Sequence, residues 1–196
     1  MGLGNPGGRY CDTRHNLGRT ALFDFSQSLP VEGKISLCRG NASFHRIEGF
    51  TICVFLPDSY MNRSGLAVRE LLDYLHFRNC TTELLVAHDD LDIPFGRLRY
   101  KKGGGNAGHN GIKSITEELK TADFSRLRLG IGNRKAARNP EFVLDCFDPE
   151  EQARFEELKR MINASLHCYL LQGIERAMAG FNGRAVTNES AGFSGT

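Results

Sequence analysis

Two polar segments of the chain carry side chains that could activate a water molecule. His15 lies in Thr-Arg-His-Asn, just ahead of an apolar stretch, and residues 88–92 (His-Asp-Asp-Leu-Asp) directly follow an apolar segment. A carboxylate that accepts the Nδ1 proton of an imidazole fixes its tautomer and leaves Nε2 free to take a proton. A lone histidine is more often structural, and an acidic loop is more often a solvated turn or a site for a divalent cation. Pairing of His15 with a carboxylate of residues 88–92 is therefore a hypothesis.

Three asparagines, Asn5, Asn62 and Asn110, lie in segments shaped by glycine or proline. Each amide offers a donor and an acceptor without charge, which suits the binding of amide and carbonyl groups. Asn110 alone is also a good helix N-cap. Gly-x-Ser-x-Gly is absent, and no Ser-His or Cys-His nucleophile motif stands out. The chemistry indicated is attack of water on a carbonyl, assisted by a histidine base, with no covalent intermediate and no cofactor.

Two glycine-rich segments match nucleotide-binding loops only in part. Residues 2–7 have the letters G-x-G-x-x-G, but no strand precedes them and Asn-Pro-Gly is typical of a turn. Residues 102–111 lack the Gly-Lys-Ser/Thr of a phosphate loop. Their glycines favour close approach of the backbone to a ligand, or a mobile loop. A dinucleotide-binding protein remains an alternative hypothesis.

Short apolar segments alternate with helical patterns along the chain. Residues 52–56, 84–87 and 127–131 predict buried strands. Apolar residues at helical spacing predict one helix from about 64 to 77 and another after Asn110. Asp148, followed by Pro149 and Glu151, predicts a capping box that starts a last helix. This alternation predicts an α/β fold with a mixed, mostly parallel central sheet flanked by helices, and polar groups in loops at the strand ends.

The length of 196 residues suits one domain with a sizeable core. We expect this domain to span residues 1–182 and residues 183–196 to form a flexible C-terminal tail. No membrane-spanning segment or secretion signal is visible. Six cysteines without a C-x-x-C pair predict reduced, mostly buried thiols in a reducing compartment, rather than disulfides or a zinc site.

The net charge of +2 conceals an uneven distribution. Residues 95–140 carry eleven Lys and Arg against three Asp and Glu, a charge of +8, whereas residues 141–162 carry three against seven, a charge of −4. The basic part surrounds the second glycine-rich segment and predicts a phosphate-binding surface beside the site. A solvated basic face is the alternative interpretation.

Five motifs, in this order along residues 2 to about 182, resemble the bacterial-type peptidyl-tRNA hydrolase family. They are Gly-Leu-Gly-Asn-Pro-Gly-x-x-Tyr-x-x-Thr-Arg-His-Asn, Pro-x-x-Tyr-Met-Asn-x-Ser-Gly, Ala-His-Asp-x-Leu-Asp, Gly-x-x-Gly-His-Asn-Gly and Arg-Leu-Arg-x-Gly-Ile-Gly. The resemblance implies a single α/β globule in the cytoplasm that needs no metal and no obligate protein partner, and we expect a monomer. It also implies hydrolysis of the ester bond between the peptide and the tRNA ribose of peptidyl-tRNA, which recycles tRNA from stalled or aborted translation.

The resemblance also implies roles for individual residues. His15 would activate water, and Asp89 would orient His15. Asn62 and Asn110 are the other expected catalytic residues, and they would hold the substrate and stabilise the oxyanion. Asn5 would help to distinguish peptidyl-tRNA from free aminoacyl-tRNA. The other expected substrate-binding residues are Tyr10, Tyr60, Met61 and His109 at the site, and Arg99, Lys101 and Arg128 toward the tRNA phosphates.

The chain departs from the family pattern in three places. The strand that usually precedes the first motif is nearly absent, Leu56 stands where Lys is common, and Asn106-Ala107 replaces a His-Gly or similar pair. The main rival hypothesis is a relative of the same fold that binds RNA without hydrolase activity. The presence of all the expected catalytic residues favours the enzyme.

Overall fold

Two three-stranded sheets form the centre of the molecule. The structure, a computed structural model, describes residues 1–77, 83–132 and 140–186. The first sheet is an antiparallel meander of β1 (Val31–Leu37), β2 (Gly40–Ile47) and β3 (Phe50–Pro57). The second sheet contains β4 (Leu85–Pro94), β5 (Leu98–Lys102) and β6 (Ser125–Gly132). Its order is β4-β6-β5, with β4 parallel and β5 antiparallel to β6.

The first residues of the chain join the two sheets. The amide of Gly2 donates to the carbonyl of Phe55 in β3 (3.0 Å), and the amide of Leu3 donates to the carbonyl of Ala87 in β4 (2.9 Å). Gly2 and Ala87 form a parallel bridge. Gly2 and Leu3 therefore occupy a strand position between β3 and β4, and they bring Asn5 beside β4.

Helices cover both faces of the second sheet. The described helices are α1 (Leu17–Gln27), α2 (Ser64–Tyr74), α3 (Asn110–Leu119), α4 (Pro149–Ala153) and α5 (Phe155–Phe181). Helices α1 and α5 share one apolar cluster with Leu127 and Leu129, whereas α2 and α3 share a second cluster with Val86 and Phe124. Short 3-10 turns occur at Gly8–Tyr10, Arg14–Asn16, Met61–Arg63 and Pro140–Leu144. None of the described helices has both the length and the apolar character needed to cross a bilayer.

The predicted α/β fold is confirmed, and the predicted strands lie in β3, β4 and β6. The prediction of a mostly parallel sheet is not exact. Of the four described strand pairings, the pairing of β4 with β6 is parallel and the other three are antiparallel. The sequence does not reveal β1, β2 or β5, because polar residues interrupt their apolar positions and leave β1 with no fully buried residue. The turn at Glu48 and Gly49, with φ values of 44° and 95°, closes β2 and β3 as a hairpin.

Helix starts follow their local signals more closely than helix ends. Helix α2 begins at Ser64 as predicted but ends at Tyr74 instead of near residue 77. The predicted capping box is present, since Asp148 accepts from the amide of Glu151 (2.8 Å) and the Glu151 carboxylate accepts from the amide of Asp148 (2.9 Å). That helix ends after five residues, and α5 starts anew at Phe155.

The acidic segment 88–92 is part of β4, so its prediction as a loop is wrong. Its backbone pairs with β6, and successive side chains of a strand point to opposite faces. Asp89 and Asp90 are both buried, and they have different partners. A sheet, rather than a turn, therefore places these carboxylates.

Five cysteines lie in the described part of the chain, and none of these is in a disulfide. The prediction that the thiols are mostly buried is wrong, because Cys11, Cys38 and Cys146 are exposed while Cys53 and Cys168 are half-buried. The exposed three lie in connections between elements, where side chains face solvent. Cys80 lies outside the described residues.

The last described residues pack against the connection between β4 and β5. The amide of Val186 donates to the carbonyl of Gly96 (2.9 Å), and Ala185 forms a bridge with Arg97. Val186 is 5% exposed. The packed chain thus extends into the segment 183–196 that the sequence assigns to a flexible tail, of which residues 187–196 lie outside the described part.

Candidate active site

Asp89 lies between two histidines. Its Oδ1 is 2.9 Å from Nδ1 of His15 and 3.0 Å from Nε2 of His109, and its Oδ2 is 3.0 Å from Nδ1 of His15. Asp89 is buried in β4, and His15 lies in the 3-10 turn that leads into α1. Helix α1 approaches β4 so closely that a Cβ on Gly18 would collide with the carbonyl of Ala87. The glycine therefore lets the helix bring His15 against Asp89.

The side chain of Asp89 is held in its ionised form. Burial alone would raise the pKa of this carboxyl, but the charge and hydrogen bond of His109 and the hydrogen bond and charge of His15 outweigh burial and hold the pKa well below its usual range. The carboxylate accepts the Nδ1 proton of His15. Nε2 of His15 then carries a lone pair, and His15 lines an open cleft. This is the arrangement of a general base.

His109 is the N-cap of helix α3, so the prediction that Asn110 caps this helix is wrong. Nδ1 of His109 accepts hydrogen bonds from the amides of Gly111 (3.1 Å) and Ile112 (3.3 Å), while Nε2 contacts Asp89. The imidazole reaches the helix end and the carboxylate at once, which the shorter Asn side chain cannot do. Asn110 is the first helical residue, and its exposed amide is left available to a ligand.

A divalent metal is a formal alternative for this cluster. His15, Asp89 and His109 each offer one ligand atom, and these atoms lie within 4.8 Å of one another. The hydrogen bonds do not fit a metal, because Nδ1 of His109 accepts two amide protons and the ring proton must therefore be on Nε2. Nε2 is the atom that would have to bind the metal. The cluster fits a carboxylate that accepts protons from two imidazoles.

His88 places a buried, neutral imidazole behind the pair. Its Nδ1 donates to the carbonyl of Asp89 (2.7 Å), and its ring meets that of His109 edge to face at 4.7 Å between centroids. Burial, followed by the nearby His109, lowers the pKa of His88 to about 3. His88 is therefore uncharged at neutral pH and supports His109 without competing for the carboxylate.

A cleft of about 550 Å³ opens in front of His15. The amides of Asn62 and Asn110 are exposed at the cleft, and neither has a hydrogen-bond partner among the described residues. Tyr60 is 55% exposed in the cleft, whereas Met61 is buried beneath it. The cleft thus combines a candidate base with two unoccupied amide groups. Its other lining residues are Asn5, Arg63, Val143 and Leu144, and the sequence analysis missed the last three of these.

Asn5 is fixed by hydrogen bonds at its backbone and its side chain. Its amide donates to Oδ1 of Asn16 (2.7 Å), and its carbonyl accepts from Nδ2 of Asn16 (2.9 Å). Oδ1 of Asn5 accepts from the amide of Met61 (2.9 Å), which leaves its Nδ2 group for a ligand. Asn16 is a positioning residue that the sequence analysis missed, although it directly follows His15 in the first motif.

Tyr10 is not among the residues that line the cleft. It is half-buried in the turn Gly8–Tyr10, where its hydroxyl accepts from the guanidinium of Arg9. That guanidinium also lies 4.5 Å from the centre of the Tyr10 ring. Arg9 therefore covers Tyr10 and also lies within electrostatic range of Tyr60, and the expected role of Tyr10 at the site stays a prediction.

The residues expected to contact tRNA phosphates lie together on the second sheet. Arg99 and Lys101 are exposed on β5, and Arg99 pairs across the sheet with Arg128 on β6. Arg128 differs from the other two, because its Nε donates to Asp90 at 2.6 Å and its side chain is 16% exposed. Two cations are thus open to a ligand on this face, and the third is partly neutralised.

Part of the basic charge shapes the glycine-rich loop instead of facing solvent. Arg126 is buried and donates to the carbonyls of Gly104 and Gly105 at 2.6 Å each. Burial lowers the pKa of this guanidinium. Residues 134, 135 and 138, which also contribute to the predicted basic segment, lie outside the described residues.

Comparisons with known proteins agree with the motifs and the fold. A family model described as peptidyl-tRNA hydrolase matches residues 1–189. A peptidyl-tRNA hydrolase from Synechococcus sp. (strain JA-3-3Ab) is 38% identical over 187 residues, which cover 93% of this chain and 81% of that protein. The corresponding protein of Desulforudis audaxviator is also 38% identical, over 93% of this chain and 91% of its own length. A crystal structure of peptidyl-tRNA hydrolase from Acinetobacter baumannii has a TM-score of 0.84 and 29% identity, with 95% and 94% of the two chains covered. The chain belongs to the peptidyl-tRNA hydrolase family.

Proposed function

We propose that His15 is the general base in the hydrolysis of peptidyl-tRNA by this ester hydrolase. The observation that carries the proposal is the His15–Asp89 pair, which leaves Nε2 of His15 with a lone pair at an open cleft. Asp89 stays ionised and stabilises the imidazolium that forms when His15 takes a proton. No group in this arrangement is required to form a covalent intermediate.

The reaction then proceeds by direct attack of water. The water oxygen bonds to the ester carbonyl carbon while Nε2 of His15 takes one of its protons. The carbonyl oxygen becomes an oxyanion, which the amides of Asn62 and Asn110 stabilise as hydrogen-bond donors. The bond from the carbon to the ribose oxygen breaks, and the proton on His15 passes to that oxygen. The products are a tRNA with a free ribose hydroxyl and a peptide with a carboxyl group, which releases the second water proton to solvent and becomes a carboxylate.

Asn5 separates peptidyl-tRNA from aminoacyl-tRNA by the group it can bind. Its Oδ1 is used by the amide of Met61, so Nδ2 is the group left for the substrate. An Nδ2 donor pairs with the carbonyl of a peptide bond, which peptidyl-tRNA has. Free aminoacyl-tRNA instead presents an ammonium group, which is itself a donor and finds no acceptor there.

The tRNA lies along the basic face of β5. Arg99 and Lys101 are exposed there and lie beside the loop that Arg126 holds. Salt-dependent contacts of such side chains with phosphates supply binding without sequence specificity. Arg128 contributes less, since its Nε is bound to Asp90.

The protein works in the cytoplasm as a monomer without an obligate protein partner. Sedimentation of the pure protein, with and without tRNA, tests the monomeric state.

Hydrolysis of N-acetyl-aminoacyl-tRNA by the wild type and by His15→Ala tests the proposal. We expect the variant to lose about 10²-fold to 10⁴-fold in kcat, the usual contribution of general-base catalysis. Equal rates would refute the role of His15. Binding of tRNA without hydrolysis by the wild type would instead support the rival hypothesis of a catalytically silent RNA-binding relative.

A further inference from the structure

An apolar wall forms one side of the cleft. Val143 and Leu144, at the end of the turn Pro140–Leu144, line the cleft together with His15. Leu144 is 44% exposed although it is a large apolar side chain, and Tyr60 is exposed in the same cleft. Covering such side chains with an apolar group of a ligand removes apolar surface from water and favours binding.

One guanidinium attaches this wall to the turn that carries His15. Nη1 of Arg14 donates to the carbonyl of Cys146 and Nη2 donates to Oε2 of Glu151, each at 2.6 Å. The backbone amide of Arg14 donates to the carbonyl of Asp145 (3.0 Å). The guanidinium also lies 4.4 Å from the centre of the Phe142 ring. Arg14 thus contacts the chain on both sides of the wall.

These contacts couple the position of the wall to that of the base. Arg14 directly precedes His15 in the same 3-10 turn. The side chains of Arg14 and Glu151 are 7% and 17% exposed, so their ion pair is more strongly held than a pair on the open surface. Lysine is a poor replacement for Arg14, because its ammonium lacks the planar fork that donates in parallel to a carbonyl and a carboxylate, and has no flat face to cover a ring.

We propose that Val143 and Leu144 recognise the amino-acid side chain next to the scissile ester, and that Arg14 and Glu151 are positioning residues for this wall. The inference rests on the proposed function, since it places the ester carbonyl at His15. The substrates favoured by this wall are peptidyl esters whose last residue is large and apolar. Glycine at that position gains nothing from the wall.

Two substrates and three variants test the proposal. The substrates are N-acetyl-phenylalanyl-tRNA and N-acetyl-glycyl-tRNA, and each variant is compared with the wild type on both. Leu144→Ala shortens the wall at a half-exposed position. Glu151→Gln keeps an acceptor for the capping box but removes the charge that pairs with Arg14. Glu150→Gln is the matched control, because it removes the same charge from the exposed first turn of α4.

We expect Leu144→Ala to raise KM for the phenylalanyl substrate about tenfold and KM for the glycyl substrate less than twofold, as expected for a lost apolar contact. Glu151→Gln should change the ratio of the two KM values, phenylalanyl to glycyl, about threefold to tenfold. Glu150→Gln should leave this ratio unchanged. The pH profile of kcat should stay that of the wild type in all three variants. The role of the wall would be overturned if Leu144→Ala kept the wild-type ratio of KM values, whether KM stayed unchanged or rose equally for both substrates.

Two further outcomes separate the parts of the proposal. An altered preference in Leu144→Ala with a wild-type preference in Glu151→Gln would overturn the positioning role of Arg14 and Glu151. A wild-type protein that hydrolyses neither substrate would refute the proposed function itself. Urea denaturation of each variant identifies a general loss of fold, which would lower activity on both substrates equally.

Discussion

Asp89→Asn changes the charge of the buried centre without changing its size. The carboxylate contacts Nδ1 of His15 with both oxygens, at 2.9 and 3.0 Å, and Nε2 of His109 with one oxygen, at 3.0 Å. An amide has one acceptor oxygen and one donor nitrogen. The oxygen must remain at His109, because Nδ1 of His109 accepts two amide protons and Nε2 therefore donates. The new amide nitrogen then takes the place of Oδ2 beside Nδ1 of His15 and favours the tautomer with the proton on Nε2, in which the ring cannot act as a base.

The magnitude follows from the two effects of this change. The variant loses both the correct tautomer of His15 and the negative charge that stabilises the imidazolium. We expect kcat to fall about 10³-fold, within the range of general-base catalysis, which corresponds to about 4 kcal/mol of transition-state stabilisation. KM should change less than about threefold, because Asp89 is 3% exposed and is not among the residues that line the cleft.

Two measurements check the prediction. Single-turnover hydrolysis of N-acetyl-aminoacyl-tRNA gives the chemical rate, and ¹⁵N NMR of the imidazoles reports which nitrogen of His15 is protonated. Asp58→Asn is the control, since Asp58 is an exposed carboxyl that does not line the cleft. A kcat of Asp89→Asn within threefold of the wild type, or an unchanged His15 tautomer, would contradict the reasoning.

Three other variants address the oxyanion, the tRNA and the buried imidazole. Asn110→Ala should lower kcat about 10²-fold with little change in KM, because its amide acts on the oxyanion; a rise in KM alone would show ground-state binding instead. Lys101→Ala should raise KM and reduce the slope of log(kcat/KM) against the logarithm of salt concentration by about one. The control Lys34→Ala, on the exposed face of β1, should leave this slope unchanged. His88 has a pKa of about 3 in the folded protein against about 6.5 when unfolded, so the unfolded chain binds one more proton between these values. The free energy of unfolding should therefore rise with pH by about 1.4 kcal/mol per unit between about pH 4 and 6 from His88 alone. His88→Asn should remove this slope in urea denaturation, the exposed control His76→Asn should keep it, and equal slopes in both variants would refute the assignment.

Local chemistry determined the features that the sequence revealed. The capping box at Asp148 and the start of α2 at Ser64 depend on residues within one helical turn, so no distant part of the chain was needed to predict them. The strands in β3, β4 and β6 were visible because each contains a short, largely apolar segment that is mostly buried. β1 and β5 have polar residues at exposed positions, so their sequences do not distinguish them from loops.

Candidate site residues were visible as residue types in distinctive motifs, but their partners were not. Asn110 has the sequence of an N-cap, yet His109 takes that position because its ring also reaches Asp89, which lies 20 residues earlier. Charge was predicted from residue counts, yet Arg126 binds backbone carbonyls inside the protein. A count of basic residues cannot separate cations that face solvent from those that hold a loop.

The sequence by itself determined the family, the starts of α2 and α4, three of the strands and the identities of the candidate base, carboxylate and amides. Only the tertiary structure decided that His15 meets Asp89 across 74 residues of chain, that Asp89 also binds His109, and that Leu144 faces the same cleft. The physical reason is the separation along the chain between the residues that interact. Caps and strand patterns depend on neighbours along the chain, whereas hydrogen bonds, burial and access to solvent depend on how the elements pack in space.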